Sequence, residues 1–273
     1  MLPAGERLLL SRRSPYHALY LTEDEHGQRT LRFGEDGVRQ SVMYPHEPGY
    51  LVLDYARLVP ATLALAPPIQ RMLCMGLGGG SLPRFFHHTV PVLQVDVVEI
   101  DVGVVQVACE HFGLQEDARL HVHVADGRDF IEAHAAPWDF ILLDAYDADL
   151  DAVPQHLTTL EFFAAARAAL TRHGLVVANV WGRETNPRYD DMLHTFQAAF
   201  AATYVFDVPR PQTKLFVGLA SPLAITREEV LHWTRQAAAA WKLPYDLSAM
   251  VAGFRPAQQE RTRGGRLLRD ADA

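Results

Sequence analysis

The feature that most constrains the fold is a long alternation of strand-like and helix-like segments. From residue 71 onward, apolar runs of strand length recur, and most of them are separated by segments with helical periodicity. The strand-like runs are residues 71–75, 92–100, 120–125, 140–143 and 175–180, followed by the closely spaced pair 203–208 and 214–219. Strands joined through helices pair in parallel, whereas a short turn between two strands makes an antiparallel pair. The pattern therefore predicts a Rossmann-like α/β sheet of seven strands whose last strand is antiparallel.

Shorter elements precede this sheet. We expect residues 1–13 to be a loose tail, while residues 16–21, 29–33 and 38–43 have strand character and are joined by tight turns. Such a small β element cannot bury a core of its own, so it has to pack on the main domain or on another subunit. A helix is predicted over residues 50–65, where apolar residues recur at helical spacing.

The C-terminal region contains one clear helix signal. Thr226 and Glu229 form a capping box, which predicts the start of a helix. From about Gln258 the chain is charged and contains glycine, and we expect it to be disordered. The predicted domains are a tail and small β-hairpin element (residues 1–48), a Rossmann-like catalytic domain (49–222), and a C-terminal helix with a disordered tail (223–273).

Composition and charge exclude several classes of partner. The 273 residues carry a formal net charge of −8, whereas a protein that grips nucleic-acid phosphates needs a basic face. No apolar run approaches the length of a membrane span, and the two cysteines lack the spacing of metal ligands. His121 and His123 share one face of a predicted strand, but no third ligand accompanies them. We therefore expect a cytoplasmic protein with no nucleic-acid partner, no membrane contact and no metal.

Four signals for a ligand site follow successive strands of the predicted sheet. They are, in chain order, the glycines Gly76, Gly78 and Gly80, then Glu99, then Asp126 with Gly127, and finally Asp144. The carboxyl ends of strands in an open α/β sheet meet at one edge, where ligands bind. Glycines let a ligand approach the backbone, and carboxylates at such an edge can accept ribose hydroxyls or the amine of adenine. Each signal alone also fits a tight turn, a helix cap or a solvated loop, and for the neighbouring Asp101 we favour the cap.

The order of these residues resembles that of the polyamine aminopropyltransferase family, the spermidine synthases. The resemblance extends from about residue 16 to residue 221. It implies the sheet of class I S-adenosylmethionine-dependent transferases, a role in polyamine biosynthesis, and an N-terminal β element that builds homodimers or homotetramers. It also implies a role for single residues: Gln40 near the donor sulfonium, the glycine loop and Gly127 around the donor, Glu99 on the ribose, Asp126 on the adenine, Asp144 as the base, and Asp147 on the amine acceptor.

The chain departs from the family pattern at three places. Gly79 replaces the loop aspartate that in the family binds the amine of decarboxylated S-adenosylmethionine. Of the family's Tyr-His-Glu stretch, which contacts the polyamine, only an acid remains, at Asp54. The family's Asp-Ser-Ser-Asp run has become Asp144-Ala145-Tyr146-Asp147, so that Tyr146 and Asp147 are left to hold the acceptor. The resemblance is thus to a divergent spermidine synthase-like branch, and it covers the nucleoside pocket better than the transferred group.

Several functions are compatible with these residues. The leading one is transfer of an aminopropyl group from decarboxylated S-adenosylmethionine to a small amine, with Asp144 taking the proton. The close alternative is a methyltransferase, or another alkyl transferase, that uses intact S-adenosylmethionine on a small acceptor. A nicotinamide-dependent dehydrogenase would also use the glycine loop and Glu99, but an antiparallel last strand is atypical of that class. A binding or scaffolding protein that keeps only the fold is a further alternative.

Overall fold

The computed structural model describes residues 5–35, 37–47, 49–66, 68–134, 137–146, 153–209 and 213–273. Its strands form two sheets, one of four strands and one of eight. No helix in these ranges is both long enough and apolar enough to cross a lipid bilayer.

The four-stranded sheet is an antiparallel meander. Its strands are β1 (Arg7–Arg13), β2 (Ala18–Glu23), β3 (Arg29–Phe33) and β4 (Arg39–Met43). The three predicted strands are confirmed, but the expected loose tail is wrong in its described part, because β1 pairs with β2 along its whole length. Leu19, Leu21 and Leu31 are fully buried in the same apolar cluster as one face of the larger sheet. The small sheet therefore packs on the main domain, as its size requires.

The eight-stranded sheet has the predicted Rossmann-like arrangement. Its strands are β5 (Arg71–Met75), β6 (Gln94–Glu99), β7 (Leu120–Val124), β8 (Trp138–Leu143), β9 (Leu170–Trp181), β10 (Ala202–Asp207), β11 (Thr213–Leu219) and β12 (Arg255–Pro256). Their order is β12-β10-β11-β9-β8-β5-β6-β7. The strands from β5 to β9 pair in parallel, and β11 runs antiparallel to both β9 and β10. The predicted seven strands with an antiparallel last strand are confirmed, and the two-residue β12 adds an unpredicted eighth strand at the edge.

Eight α-helices connect or follow these strands in the described ranges. They are α1 (Asp54–Leu58), α2 (Ser81–Thr89), α3 (Val102–Phe112), α4 (Gly127–Ala133), α5 (Leu160–Ala168), α6 (Tyr189–Ala199), α7 (Arg227–Ala240) and α8 (Leu247–Met250). The helix predicted over residues 50–65 is shorter, because α1 passes into a 3₁₀ segment at Val59–Leu65 with Pro60 in its first turn. The capping box that begins α7 is confirmed, whereas α4 was not predicted.

Local side-chain contacts explain where the helices beside the ligand edge begin. Asp101 accepts a hydrogen bond from the Gly103 N–H at 2.8 Å, which confirms its prediction as the cap of α3. Gly113 then ends α3 in a left-handed conformation at φ 71°. The cap at Asp101 thus fixes the start of α3 directly after the end of β6, and Gly113 fixes its end.

The C-terminal segment differs from the expectation of disorder. Leu268 is fully buried against α5 and α6, its N–H donates to Thr195 Oγ1 at 2.9 Å, and its carbonyl accepts from the Leu160 N–H at 2.8 Å. One buried leucine with paired backbone groups outweighs the polar composition around it. The domain boundaries after residues 48 and 222 stay predictions.

Candidate active site

A cavity of about 640 Å³ lies at the carboxyl ends of the parallel strands, where the small sheet faces the large one. Its walls contain residues that follow β5, β6, β7 and β8, together with Phe33 and Gln40 of the small sheet. The predicted site residues that line it are Gln40, Asp54, Gly76, Gly78, Glu99, Asp126, Gly127, Asp144 and Tyr146. Gly80 does not line it, because it caps the N-terminus of α2 instead. Asp147 lies outside the described residues. The structure thus brings together nine of the predicted residues around one cavity.

Asp144 stands at the centre of this edge, directly after β8. Its N–H donates to the Met75 carbonyl at 2.9 Å, which ties the end of β8 to the end of β5. Gly76 follows there with φ +95°, and a Cβ on it would collide with the carbonyl oxygen of Asp144. Only glycine permits that conformation together with that approach of the two chains. The glycine after β5 is therefore required by the position of Asp144.

The carboxylate of Asp144 lies in the wall of the cavity and is otherwise surrounded by protein. Tyr55 Oη donates to its Oδ2 at 3.0 Å, and Asn179 Nδ2 donates to its Oδ1 at 2.9 Å. Burial raises the pKa of Asp144 to about 6, against the opposing effect of the two hydrogen bonds. Asn179 Oδ1 is buried and has no hydrogen-bond partner among the described residues. Both neighbours are neutral, so the site holds an ionised carboxylate without a compensating cation from either of them.

Glu99 joins the end of β6 to the glycine loop. Its Oε2 accepts from the Leu77 N–H at 2.9 Å, and its Oε1 accepts from the Asp101 N–H at 3.0 Å. Burial raises the pKa of Glu99, although these backbone donors act in the opposite direction. With a further backbone bond from Ile100, three of the four lone pairs are used, and the remaining one allows the carboxylate to accept a ligand hydroxyl while it orders the loop.

Asp126 has two different tasks at the end of β7. Its Oδ1 caps α4 by accepting from the N–H groups of Arg128 and Asp129, at 2.8 and 3.2 Å. Its Oδ2 lies 2.9 Å from Nε2 of His156, which also lines the cavity. The carboxylate is therefore fixed between a helix start and an imidazole, and one lone pair of Oδ2 remains for a ligand.

The glycine loop packs tightly at Gly79. A Cβ on Gly79 would lie 2.9 Å from Ser41 Oγ and 3.1 Å from the ring of Phe112. Ser41 Oγ itself lies 3.4 Å from Ser81 Oγ at the first residue of α2. The space beside Gly79 is thus filled in part by Ser41 of the small sheet and by the ring of Phe112, and Gly79 is not among the residues that line the cavity.

Aromatic rings form the wall of the cavity beside Asp144. His17 and Phe33 stack with ring centroids 3.9 Å apart, and Phe33 lies 6.3 Å from Tyr146. Tyr146 in turn lies 6.4 Å from Trp181 at the end of β9. Asp54 also lines the cavity and pairs with Arg57 at 4.0 Å. Aromatic side chains in such a wall can attract a cationic ligand.

Sequence reasoning missed three residues that complete this site. Tyr55, Asn179 and His156 belong to α1, to β9 and to a 3₁₀ turn before α5, and each reaches a predicted carboxylate from a distant part of the chain. Of the three, Asn179 has a sequence signal, since it is a polar residue in a continuous apolar strand, where an amide needs a partner. No group of three or more potential metal ligands occurs among the residues that the structure describes.

Comparison with known proteins shows the family of this chain. Residues 64–213 match the family model described as the spermine/spermidine synthase domain, which is more than half of the chain. The chain belongs to that family. It is 35% identical over 159 residues to a polyamine aminopropyltransferase of Vibrio vulnificus, a match that covers 57% of this chain and 52% of the relative.

Methyltransferases are similar to this chain as well. It is 30% identical over 263 residues to the eEF1A lysine and N-terminal methyltransferase of Mus musculus, which covers 84% of this chain and 36% of the relative. The crystal structure of human methyltransferase-like protein 13 in complex with SAH superposes with a TM-score of 0.59 at 28% identity, covering 70% of this chain and 90% of that one. The chain therefore spans about half of the bacterial relative and about a third of the mouse relative.

Proposed function

We propose that this protein transfers an alkyl group from an S-adenosyl sulfonium donor to an amine, with Asp144 as the base. The observation that carries the proposal is the carboxylate of Asp144, which faces the cavity with a pKa of about 6 and hydrogen bonds from Tyr55 and Asn179. A base works best when its pKa lies near the working pH. Burial brings the pKa of Asp144 closer to neutral pH, while the carboxylate stays mostly ionised at pH 7.

The reaction is an in-line displacement at carbon. Asp144 accepts a proton from the ammonium form of the acceptor, the freed lone pair attacks the carbon next to sulfur, and the C–S bond breaks with its electron pair on the departing thioether. The sulfonium already carries a good leaving group, so the protein has mainly to deprotonate and align the amine. Tyr146 and Trp181 give the cationic amine an aromatic surface beside the base, and we assign acceptor contacts also to Asp54 and Asp147.

The donor is proposed to lie along the strand ends. Glu99 would accept the ribose hydroxyls and Asp126 the adenine amine, while Gln40 and the loop with Gly76 and Gly78 would surround the sulfonium. Gly80 would act through the shape of the loop and Gly127 through the close approach of α4. The complex of human methyltransferase-like protein 13 with SAH supports a donor of this class.

The loop around Gly79 distinguishes between the two groups that could be transferred, methyl and aminopropyl. Beside this loop, the cavity is lined by Ser41 and by Ser81 at the first residue of α2, whereas the family has a carboxylate at the position of Gly79. N–H groups at a helix start favour an anion, so they suit the carboxylate of intact S-adenosylmethionine better than an ammonium. We therefore place methyl transfer first. Aminopropyl transfer is the second candidate, favoured by the family model and by the relative from Vibrio vulnificus.

The test compares donors and then removes the base. Calorimetric titration should show that intact S-adenosylmethionine binds at least about tenfold more tightly than the decarboxylated form. The reverse preference would reject methyl transfer and favour aminopropyl transfer, and no binding of either would reject the proposal.

Turnover of either donor with a panel of primary amines then tests the base. Asp144→Asn should lower kcat by roughly 10²- to 10⁴-fold while donor affinity changes little. Asp139→Asn is the matched control, because Asp139 lies at the opposite end of the same strand, where its carboxylate accepts hydrogen bonds from Gln70, Arg71 and Thr171. Equal rates for wild type and Asp144→Asn would show that Asp144 is not the base.

A further inference from the structure

We propose that Asp270, in the C-terminal segment, sets the affinity for the donor by holding together the two chain segments that form one end of the cavity. Asp270 is thus a positioning residue, and this inference rests on the proposed function only in taking an adenosyl group as the ligand. The two segments are the start of α4, which carries Asp126, and the turn before α5, which carries His156.

The contact between Asp126 and His156 spans these two segments. Strand pairing does not join these two segments, because α4 and the turn at Gln155–Leu157 both lie outside the sheet. The 2.9 Å contact of Nε2 with Oδ2 depends on the relative position of the two segments. A shift of either one by about an ångström would break a hydrogen bond of this length.

Asp270 bridges the same two segments a short distance away. Its two oxygens accept from Arg128 Nη1 and Nη2, each at 2.7 Å, and its Oδ1 also accepts from Thr159 Oγ1 at 2.7 Å. Arg128 lies two residues after Asp126, and Thr159 lies three residues after His156. One carboxylate therefore clamps both sides of the Asp126–His156 contact in fork geometry.

The clamp is anchored to the protein core. Leu268, two residues before Asp270, is fully buried, and its backbone N–H and carbonyl are paired with α6 and α5. The hydrogen bonds from Arg128 and Thr159 lower the pKa of Asp270 to about 2, so the clamp is ionised at every pH of interest. A carboxylate held so near a buried anchor has little freedom to follow a displaced Arg128.

Preorganisation explains why a residue that does not line the cavity should affect binding. Asp126 is fixed by its cap on α4 and by His156, and a ligand that uses its remaining lone pair needs both contacts in place. Without Asp270, part of the binding energy is used to order the two segments, so affinity falls while the chemistry at Asp144 continues unchanged. The expected signature is a rise in donor Kd and KM without a change in kcat.

The test uses the full chain with S-adenosylhomocysteine and methylthioadenosine as probes in calorimetry. Asp270→Ala should weaken both about fivefold, Asp270→Asn less, and kcat at saturating donor should stay within about twofold of wild type. Arg266→Ala is the matched control, because Arg266 lies in the same segment, is 69% exposed and pairs with Asp191 on α6 instead of with α4. Its affinity should equal that of wild type.

A double-mutant cycle with His156→Gln separates positioning from a general loss of structure. If the clamp acts through His156, the loss from both changes together is smaller than the sum of the separate losses. Should Asp270→Ala fail to fold, Arg128→Lys keeps the charge but not the fork, and it should weaken both probes in the same direction.

Three outcomes would overturn the inference: unchanged affinity in Asp270→Ala (or in Arg128→Lys, where that variant replaces it), an equal loss in Arg266→Ala, or strictly additive losses in the cycle. Failure of the wild-type protein to bind either probe would instead contradict the proposed function itself.

Discussion

Two places in this protein bury carboxylates in opposite ways. Among the residues that the structure describes, the carboxylate of Asp144 receives hydrogen bonds from the neutral groups of Tyr55 and Asn179, and burial raises its pKa to about 6. Glu260 is bonded by the cations Lys214 and Arg255, with the Lys214 contact at 3.1 Å. Burial would raise the pKa of Glu260 as well, but hydrogen bonds from Arg255 and then Lys214 outweigh it and leave the pKa lowered.

The difference separates a carboxylate in a network of ion pairs from the one proposed as the base. Asp207 shares the same two cations as Glu260, and this network attaches β12 and the residues after it to β10 and β11. A buried carboxylate that is paired with a cation stabilises the fold when it is ionised. A buried carboxylate without a cation stabilises the fold more when it is protonated. The protein thus places a carboxylate with a raised pKa, the proposed base, at the ligand edge and balanced charges at the sheet edge.

The largest expected effect on stability is at the paired site. Glu260→Gln leaves Lys214 and Arg255 with one ionised partner fewer, at a position where the Glu260 side chain is 6% exposed. We expect the free energy of unfolding to fall by about 3 kcal/mol at pH 7, measured by urea denaturation. Glu110→Gln, at an exposed pair with Arg12, should change it by less than about 1 kcal/mol. Equal effects in the two variants would contradict the distinction between the two sites.

Removing the charge at Asp144 should act in the opposite direction. The folded pKa of about 6 lies above the ordinary value of 3.8, so the folded protein binds more protons than the unfolded chain between these values. The stabilisation from that proton is complete below about pH 4 and is lost as the pH rises through about 6. Asp144→Asn should therefore become more stable than wild type by up to about 3 kcal/mol across this window.

Urea denaturation of both proteins from pH 4 to pH 8 measures this difference. Asp139→Asn, on the same strand but bonded to the backbone N–H groups of Gln70 and Arg71 and to the hydroxyl of Thr171, is measured alongside as the matched substitution away from the cavity. A wild type that is as stable as Asp144→Asn at pH 8 would mean that the buried charge costs nothing.

The two carboxylates also show what the sequence allowed us to predict. Asp144 was found because it directly follows an apolar strand, and the edge where parallel strands end is known from the strand order alone. The cap at Asp101 and the antiparallel last strand were also predictable, because each depends on neighbours within a few residues.

Contacts between distant segments were not predictable. Tyr55 reaches Asp144 from 89 positions earlier in the chain, and Asp270 reaches Arg128 from 142 positions later. Composition misled us at both ends, because β1 is charged but has a partner strand, and the segment after residue 258 is charged but contains the buried Leu268. Hydrogen bonding and a single apolar anchor decide order there, and neither has a local periodicity.

The smallest expected effect concerns the neutral donors themselves. The hydrogen bond from Tyr55 lowers the pKa of Asp144 against burial, so Tyr55→Phe should raise that pKa further, by about one unit. In the pH profile of kcat/KM, the limb that falls on acidification reports the base of the free enzyme. We expect this limb at about pH 6 in wild type and about one unit higher in Tyr55→Phe, with a rate at pH 7 lowered only a few-fold.

Tyr245→Phe is the control for that profile. Tyr245 is a second half-buried tyrosine beside α1, but its hydroxyl donates to the Arg57 carbonyl at 3.3 Å and not to Asp144. A shift of the limb in Tyr55→Phe alone would show that a neutral hydrogen bond tunes the base. The same shift in both variants would mean that α1 as a whole moved, and no shift in either would mean that the limb belongs to another group. Since a cation in place of Tyr55 would turn Asp144 into a carboxylate like Glu260, the choice of a neutral partner is what keeps it able to accept a proton near neutral pH.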